Sequence, residues 1–316
     1  MAVYTNLTLE DVRAFVQERG LAEPEALAPV HQGIENTTYR LRAGGRWYAL
    51  TLFEREPADR VAETMRIVVA LARRGVPCPE PLPGPGGPVG TLANRPAVLV
   101  PWVEGRVLER AGPDELQAVG RALGRLHRAG LGVPVRRGGP HRLDELLPWV
   151  RAVAARIRGM HPDVASLVED EAAFQARLGD RGLPQGLVHA DLFLDNVVFA
   201  PDAHEVRAIL DPHMAGRGTL VYDLAVFLLD AAWGTAGPEP AEAHAVLEGY
   251  GCVRSLEPGE LGRLAGYMRR VALRFLCLRI ERFWLAEDRP RGVFKDPETF
   301  RRKLEALRDP CFRFPL

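Results

Sequence analysis

The chain has 316 residues, 47% hydrophobic and 26% charged, and its 41 basic side chains balance 41 acidic ones. Residues 1–100 carry eleven of each sign, so no region presents the basic surface that nucleic acid or an anionic membrane attracts. The length exceeds what one hydrophobic core usually serves, so two packed parts are expected.

Residues 8–20 read as a helix, with Thr8 as cap, Asp11 three residues on and Gly20 as terminator. A β-prone stretch at 37–41, a turn at Ala43-Gly44-Gly45 and a second strand at 47–53 follow. A helix is expected over 57–74, with Gly75 after its end. Residues 77–90, rich in Pro and Gly, read as loop, and 97–100 as a strand closed by Pro101. The pattern then changes. Leu116, Val119, Leu123 and Leu126 repeat at helical spacing within 113–128. Further helices are expected over 143–158, 162–178, 240–250 and 258–287. A strand-rich island at 186–211 interrupts them. The fold class is therefore α+β, with a small β-rich part over 1–101 and a larger helical part over 102–316 that embeds a small hairpin sheet.

Cys78, Cys252, Cys277 and Cys311 form no CxxC pair and read as buried apolar fillers in a reducing cytosol. The first ten residues lack the basic and apolar regions of a signal peptide. The most apolar segment, residues 224–233, is about half a membrane span long and contains Asp230. A cytoplasmic protein without a membrane partner is expected. Only two of the basic side chains are lysines, Lys295 and Lys303.

The chemistry concentrates in the island. Apolar runs at 197–200 and 206–210 flank a turn and predict a β-hairpin. With the turn centred between Ala203 and His204, Val197 faces Leu210 and Asn196 faces Asp211. Asp191 lies five residues before Asn196. Two carboxylates and an amide oxygen on one loop make a hard-oxygen site suited to Mg²⁺, which binds one or two carboxylates together with waters and substrate phosphates. Phosphoryl transfer needs this set: a base for the attacking hydroxyl and a metal on the phosphates. The spacing His189-x-Asp191-x4-Asn196 matches the H-R-D-x-x-x-x-N loop of protein kinases. Asp191 reads as catalytic base, and Asn196 and Asp211 as metal ligands. His189 reads as a brace of the loop, and Asp223 as a helix cap, a brace, or both. Asp195 reads as a turn residue or a substrate contact. Pro212 predicts that Asp211 has little freedom to swing.

These residues resemble the protein-kinase-like small-molecule kinases, which include aminoglycoside phosphotransferases, choline kinases and bacterial homoserine kinases. The matching pieces are Gly33-Ile34-Glu35-Asn36-Thr37-Thr38-Tyr39, Tyr48-Ala49-Leu50-Thr51-Leu52-Phe53-Glu54, the loop from Val188 to Asn196, and Tyr222-Asp223-Leu224-Ala225. The first two point to the homoserine kinase branch. The resemblance implies a two-lobed protein-kinase-like fold and ATP with Mg²⁺ as cofactors. Gly33, Glu35, Asn36 and Thr37 are implied to lie at the ATP phosphates and Trp102 near the adenine. Thr51 stands where most of the superfamily has a phosphate-gripping lysine. Arg55 is a possible substitute, and Glu63 would be the lysine's usual partner.

The expected function is ATP-dependent phosphorylation of a small alcohol, L-homoserine first, with Arg217 available for the acceptor's carboxylate. A kinase for an aminoglycoside, choline or a sugar, a pseudokinase without turnover, and a metal-dependent phosphatase are the alternatives. The oligomeric state is left open.

Overall fold

The structure is a computed structural model that describes residues 4–30, 36–135, 137–139, 141–234, 237–286, 295–309 and 312. The chain divides into two compact units, the first running to Glu104 and the second starting at Gly105.

The first unit is built on a five-stranded antiparallel sheet in the order β1-β2-β3-β5-β4. Its strands are β1 (Pro24–Val30), β2 (Thr37–Ala43), β3 (Arg46–Leu52), β4 (Val89–Leu92) and β5 (Arg95–Pro101). Side chains alternate between the two faces of a strand, and each face takes one helix. Helix α1 (Leu9–Gln17) is held at its start by a capping box: Asp11 N–H donates to Thr8 Oγ1 and Thr8 N–H to Asp11 Oδ2. It places Val12, Phe15 and Val16 against Leu41, Leu50, Leu52 and Leu99. On the other face, Val61, Met65 and Val68 of α2 (Ala58–Ala72) pack on Phe53 and Val98.

Two strands of the first unit departed from the sequence reading. β1 was not anticipated, because Pro24 and Pro29 mask its β character; both fit an edge strand, where a missing N–H costs little. The expected loop over 77–90 ends early, since Val89 and Gly90 already belong to β4, paired with Val98 and Ala97.

The second unit contains α3 (Pro113–Gly130), α4 (Leu143–Ile157), α5 (Pro162–Leu178), α6 (Val221–Ala231), α7 (Pro240–Gly251), α8 (Pro258–Leu261), α9 (Leu264–Arg279) and α10 (Glu298–Arg308). Two antiparallel pairs are embedded among them: β6 (Gln185–Val188) with β9 (Gly216–Thr219), and β7 (Val197–Phe199) with β8 (Val206–Ile209). Helix α6 is buried on all sides from Val221 to Leu229, as expected of a helix that is apolar all round. The single long helix expected over 258–287 is instead α8, α9 and a π-turn at Ile280–Trp284. Cys252 is exposed at the end of α7, which corrects the reading of every cysteine as buried. Cys277 is buried, Cys78 half-buried, and Cys311 lies outside the described residues. Among the described residues, no helix is long and apolar enough to cross a membrane.

Candidate active site

The site grows from the end of β6. There the chain turns through Ala190, whose φ of 64° is left-handed, a conformation that costs a non-glycine residue free energy unless its surroundings impose it. Asp223, in the first turn of α6, imposes it from one side. Its Oδ2 accepts the His189 N–H and its Oδ1 the Ala190 N–H, both at 2.7 Å. From the other side, Arg274 on α9 donates Nη1 to the Ala190 carbonyl at 2.8 Å and lies 3.3 Å from the Tyr222 hydroxyl. Both backbone groups of Ala190 are thus held, and Asp191 follows directly.

Asp223 has no exposed surface. Burial opposes its charge. The hydrogen bond from His127 and the backbone bonds overcome that cost, and its pKa lies below the ordinary carboxylate value. His127 Nε2 is 3.1 Å from Asp223 Oδ2, and its Nδ1 is 2.7 Å from the Tyr250 hydroxyl. Arg254 donates to that hydroxyl at 3.0 Å and to both oxygens of buried Glu260. With Tyr250 donating to Nδ1, the His127 proton sits on Nε2 and points at the carboxylate.

His189 is 2% exposed. Its Nε2 bonds the Leu210 carbonyl at 2.9 Å and its Nδ1 accepts the Asp191 N–H at 3.3 Å. It ties the Asp191 loop to the end of β8. The hairpin register differs from the expected one. The Ala200 N–H bonds Glu205, which centres the turn one residue early, and the ladder then shifts by one around Arg207. Val197 therefore pairs with Ile209, and the Asn196 carbonyl accepts the Leu210 N–H at 2.8 Å. Asp211 lies one residue past Leu210, with φ of 55°.

The Asn196 side chain donates Nδ2 to the Asp191 carbonyl at 2.9 Å, which among the described residues leaves its amide oxygen available to a metal. Asp211 accepts from His213 at 2.7 Å. Crowding by surrounding protein raises the Asp211 pKa, but the His213 ring beside it outweighs this and holds the pKa below the ordinary carboxylate value. One carboxylate and one amide oxygen suit Mg²⁺, which takes its other ligands from water and substrate phosphates. The pair falls short of an all-protein metal cage, and no cluster of three or more His, Cys, Asp or Glu side chains fit for a metal occurs among the described residues.

Asp195 is exposed in the turn, with Lys295 Nζ 3.9 Å from its Oδ2. Crowding by surrounding protein raises its pKa, Lys295 opposes this, and the charges of Asp191 and Asp211 raise it further. These carboxylates therefore share one electrostatic neighbourhood. Arg217 is exposed on β9, with its N–H on Arg137 O.

Of the residues expected at the nucleotide, Gly33 and Glu35 lie outside the described residues. Asn36 is half-buried beside Thr37. Thr37 is fully buried, and its hydroxyl donates to Glu54 at 2.5 Å while accepting the Tyr4 and Thr5 N–H groups. Thr51 pairs with Val98 on the α2 side of the sheet, and its hydroxyl lies 3.4 Å from that of Thr38. β3 ends at Leu52, so exposed Arg55 is off the strand. Glu63 is half-buried on α2. The Trp102 N–H bonds the Trp47 carbonyl, and the Arg40 guanidinium lies over both indole rings.

Sequence reasoning missed Arg274, His127 and Tyr250. Arg274 carried a usable signal: with Tyr267, Arg270 and Val271 it falls on one stripe of α9, so two arginines occupy a buried face. Buried charges of this kind need partners.

A five-stranded sheet flanked by helices, then a helical unit carrying an Asp-x4-Asn loop and a hairpin, defines the protein-kinase-like fold of small-molecule kinases. Amicoumacin kinase hAmiN, solved with AMP-PNP, Ca²⁺ and Ami, matches with a TM-score of 0.68 at 18% identity, over 96% of this chain and 97% of that one. A microcompartment-associated aminopropanol kinase matches with a TM-score of 0.65 at 18% identity, over 94% of each chain. Residues 26–267 match the phosphotransferase enzyme family, and the chain belongs to it. It is 33% identical to the homoserine kinase of Methylorubrum populi over 96% of this chain and 95% of that one. It is 34% identical to the homoserine kinase of Sinorhizobium fredii over 96% and 94%. The chain is an ATP-dependent small-molecule kinase.

Proposed function

We propose that this kinase transfers the terminal phosphoryl group of ATP to the hydroxyl of L-homoserine, with Asp191 as catalytic base. The chemistry rests on the loop in which Asn196 Nδ2 bonds the Asp191 carbonyl while Asp223 and Arg274 clamp Ala190. The choice of acceptor rests on the homoserine kinases that match nearly the whole chain.

Asp191 accepts the proton of the attacking hydroxyl as the oxygen–phosphorus bond forms and the bond to ADP breaks. Asn196 and Asp211 are the ligands for Mg²⁺, which when bound neutralises charge on the phosphates. His189 and Asp223 brace the loop. Asn36, Thr37, Thr51, Trp102 and the segment containing Gly33 and Glu35 serve the nucleotide. Asp195 serves the acceptor, together with a basic side chain for its carboxylate. A second reading, nucleotide binding without turnover, draws on the Thr38–Thr51 hydroxyl pair where the superfamily places a lysine. Coupled ADP release with homoserine, choline, an aminoglycoside and a sugar alcohol in parallel tests both. Release fastest with homoserine supports the proposal. Preference for another acceptor overturns the substrate, and no release with any acceptor overturns the enzyme reading.

A further inference from the structure

The chain uses arginine for nearly every positive charge, yet two positions keep lysine, and both lie close to the catalytic turn. Lys303 on α10 is enclosed: its Nζ donates to the Leu229 carbonyl next to Asp230, and Asp230 Oδ2 in turn accepts the Leu194 N–H at 2.8 Å. It supports the turn from behind. Lys295 differs. Its side chain is 47% exposed, and its Nζ stands 3.9 Å from Asp195 Oδ2, with Asp195 itself 64% exposed. An exposed pair at that length contributes little to stability, so a ligand can replace it at small cost. A lysine suits such a role, being a compact charge with three rotatable donors, whereas arginine presents a fixed fork.

We infer that Asp195 and Lys295 together form the recognition site for the acceptor's zwitterionic head group, with the α-ammonium on Asp195 and the α-carboxylate on Lys295. This rests on the proposed amino-acid acceptor. Opposite charges side by side complement the opposite charges on one α-carbon. Asp195 lies in the turn that carries Asp191 and Asn196, four residues from the base, and Lys295 reaches it from the segment before α10. An acceptor anchored there by its head group presents a side-chain hydroxyl towards Asp191. The site favours α-amino alcohol acids over choline or sugars, which lack the carboxylate. It assigns the carboxylate to Lys295 in place of Arg217, which is exposed on β9.

The test uses L-2-aminobutyrate, which keeps the head group and lacks the reacting hydroxyl, as an inhibitor competing with homoserine in the full-length enzyme. A charged hydrogen bond is worth about 10- to 100-fold in affinity, so Lys295→Met raises the inhibition constant and the KM for homoserine by about that factor. The KM for ATP stays within about two-fold, and Lys295→Arg recovers part of the loss. Asp195→Asn raises the same two constants. An unchanged inhibition constant in Lys295→Met overturns the assignment, as does an equal or larger effect confined to Arg217→Met. Failure of the wild-type enzyme to phosphorylate homoserine overturns the functional reading itself, and that result is visible before any variant is made.

Discussion

Arg274 on α9 donates to the carbonyl of Ala190 at 2.8 Å across 84 residues of sequence. The contact matters because Ala190 holds a left-handed φ directly before the proposed base. Removing it leaves a buried carbonyl unpaired, at about 1–3 kcal/mol, and frees the backbone that aims Asp191. Misplacing a reacting group by about 1 Å costs roughly 10² in rate. Arg274→Met is expected to lower kcat by about 10- to 100-fold and to lower the melting temperature, with KM for ATP little changed. A variant with wild-type kcat rules out this positioning role.

Asp191→Asn keeps the shape of the loop and removes the proposed base. General base catalysis is typically worth roughly 10²–10⁴, so kcat is expected to fall by that factor while nucleotide still binds in a fluorescence titration. Asp211→Ala removes the one carboxylate proposed for the metal and is expected to abolish Mg²⁺-dependent turnover. Full activity in Asp191→Asn shows that another group takes the proton.

Much of this site was legible in the sequence because its parts are local. Asp191, Asn196 and Asp211 fall within 21 residues, and strand alternation brackets the turn that folds them back. The register was off by one because the residue that slips, Arg207, carries no signal such as glycine. Arg274, His127 and Tyr250 sit on helices 84, 63 and 60 residues from Ala190, the last two acting through Asp223, so no spacing rule links them to the loop. In the first unit, prolines hid β1, and the segment around Gly33 lies outside the described residues.

Helices α3 and α7 approach backbone to backbone. A Cβ at Gly120 would stand 2.2 Å from the Val246 carbonyl oxygen, and one at Gly249 would stand 2.0 Å from that of Gln117. Alanine in a helix normally gains about 1 kcal/mol over glycine. Here the helices must separate, and overpacking typically costs about 1–3 kcal/mol. Gly120→Ala is expected to lower the urea midpoint. It should also reduce kcat, because α3 carries His127 and α7 carries Tyr250, whose bond orients Asp223. A raised midpoint contradicts the close packing.

His141, 2% exposed beside Tyr222, donates Nε2 to the Arg217 carbonyl at 3.1 Å. Burial pulls its pKa down to about 4; the Arg217 bond opposes this and the Arg274 charge adds to it. In the unfolded chain the group titrates near its ordinary value of about 6.5. Between these values the unfolded chain takes up a proton that the folded one does not, so stability rises with pH. The contribution is present in full above about pH 6.5 and is lost as pH falls towards 4. It amounts to about 2 kcal/mol between pH 7 and pH 5. His141→Gln keeps a donor for the carbonyl and does not titrate in this range. Urea unfolding at pH 7 and pH 5 is expected to show a smaller loss for the variant than for the wild type, by about that amount. Equal losses in the two proteins mean that His141 takes up its proton without unfolding the chain.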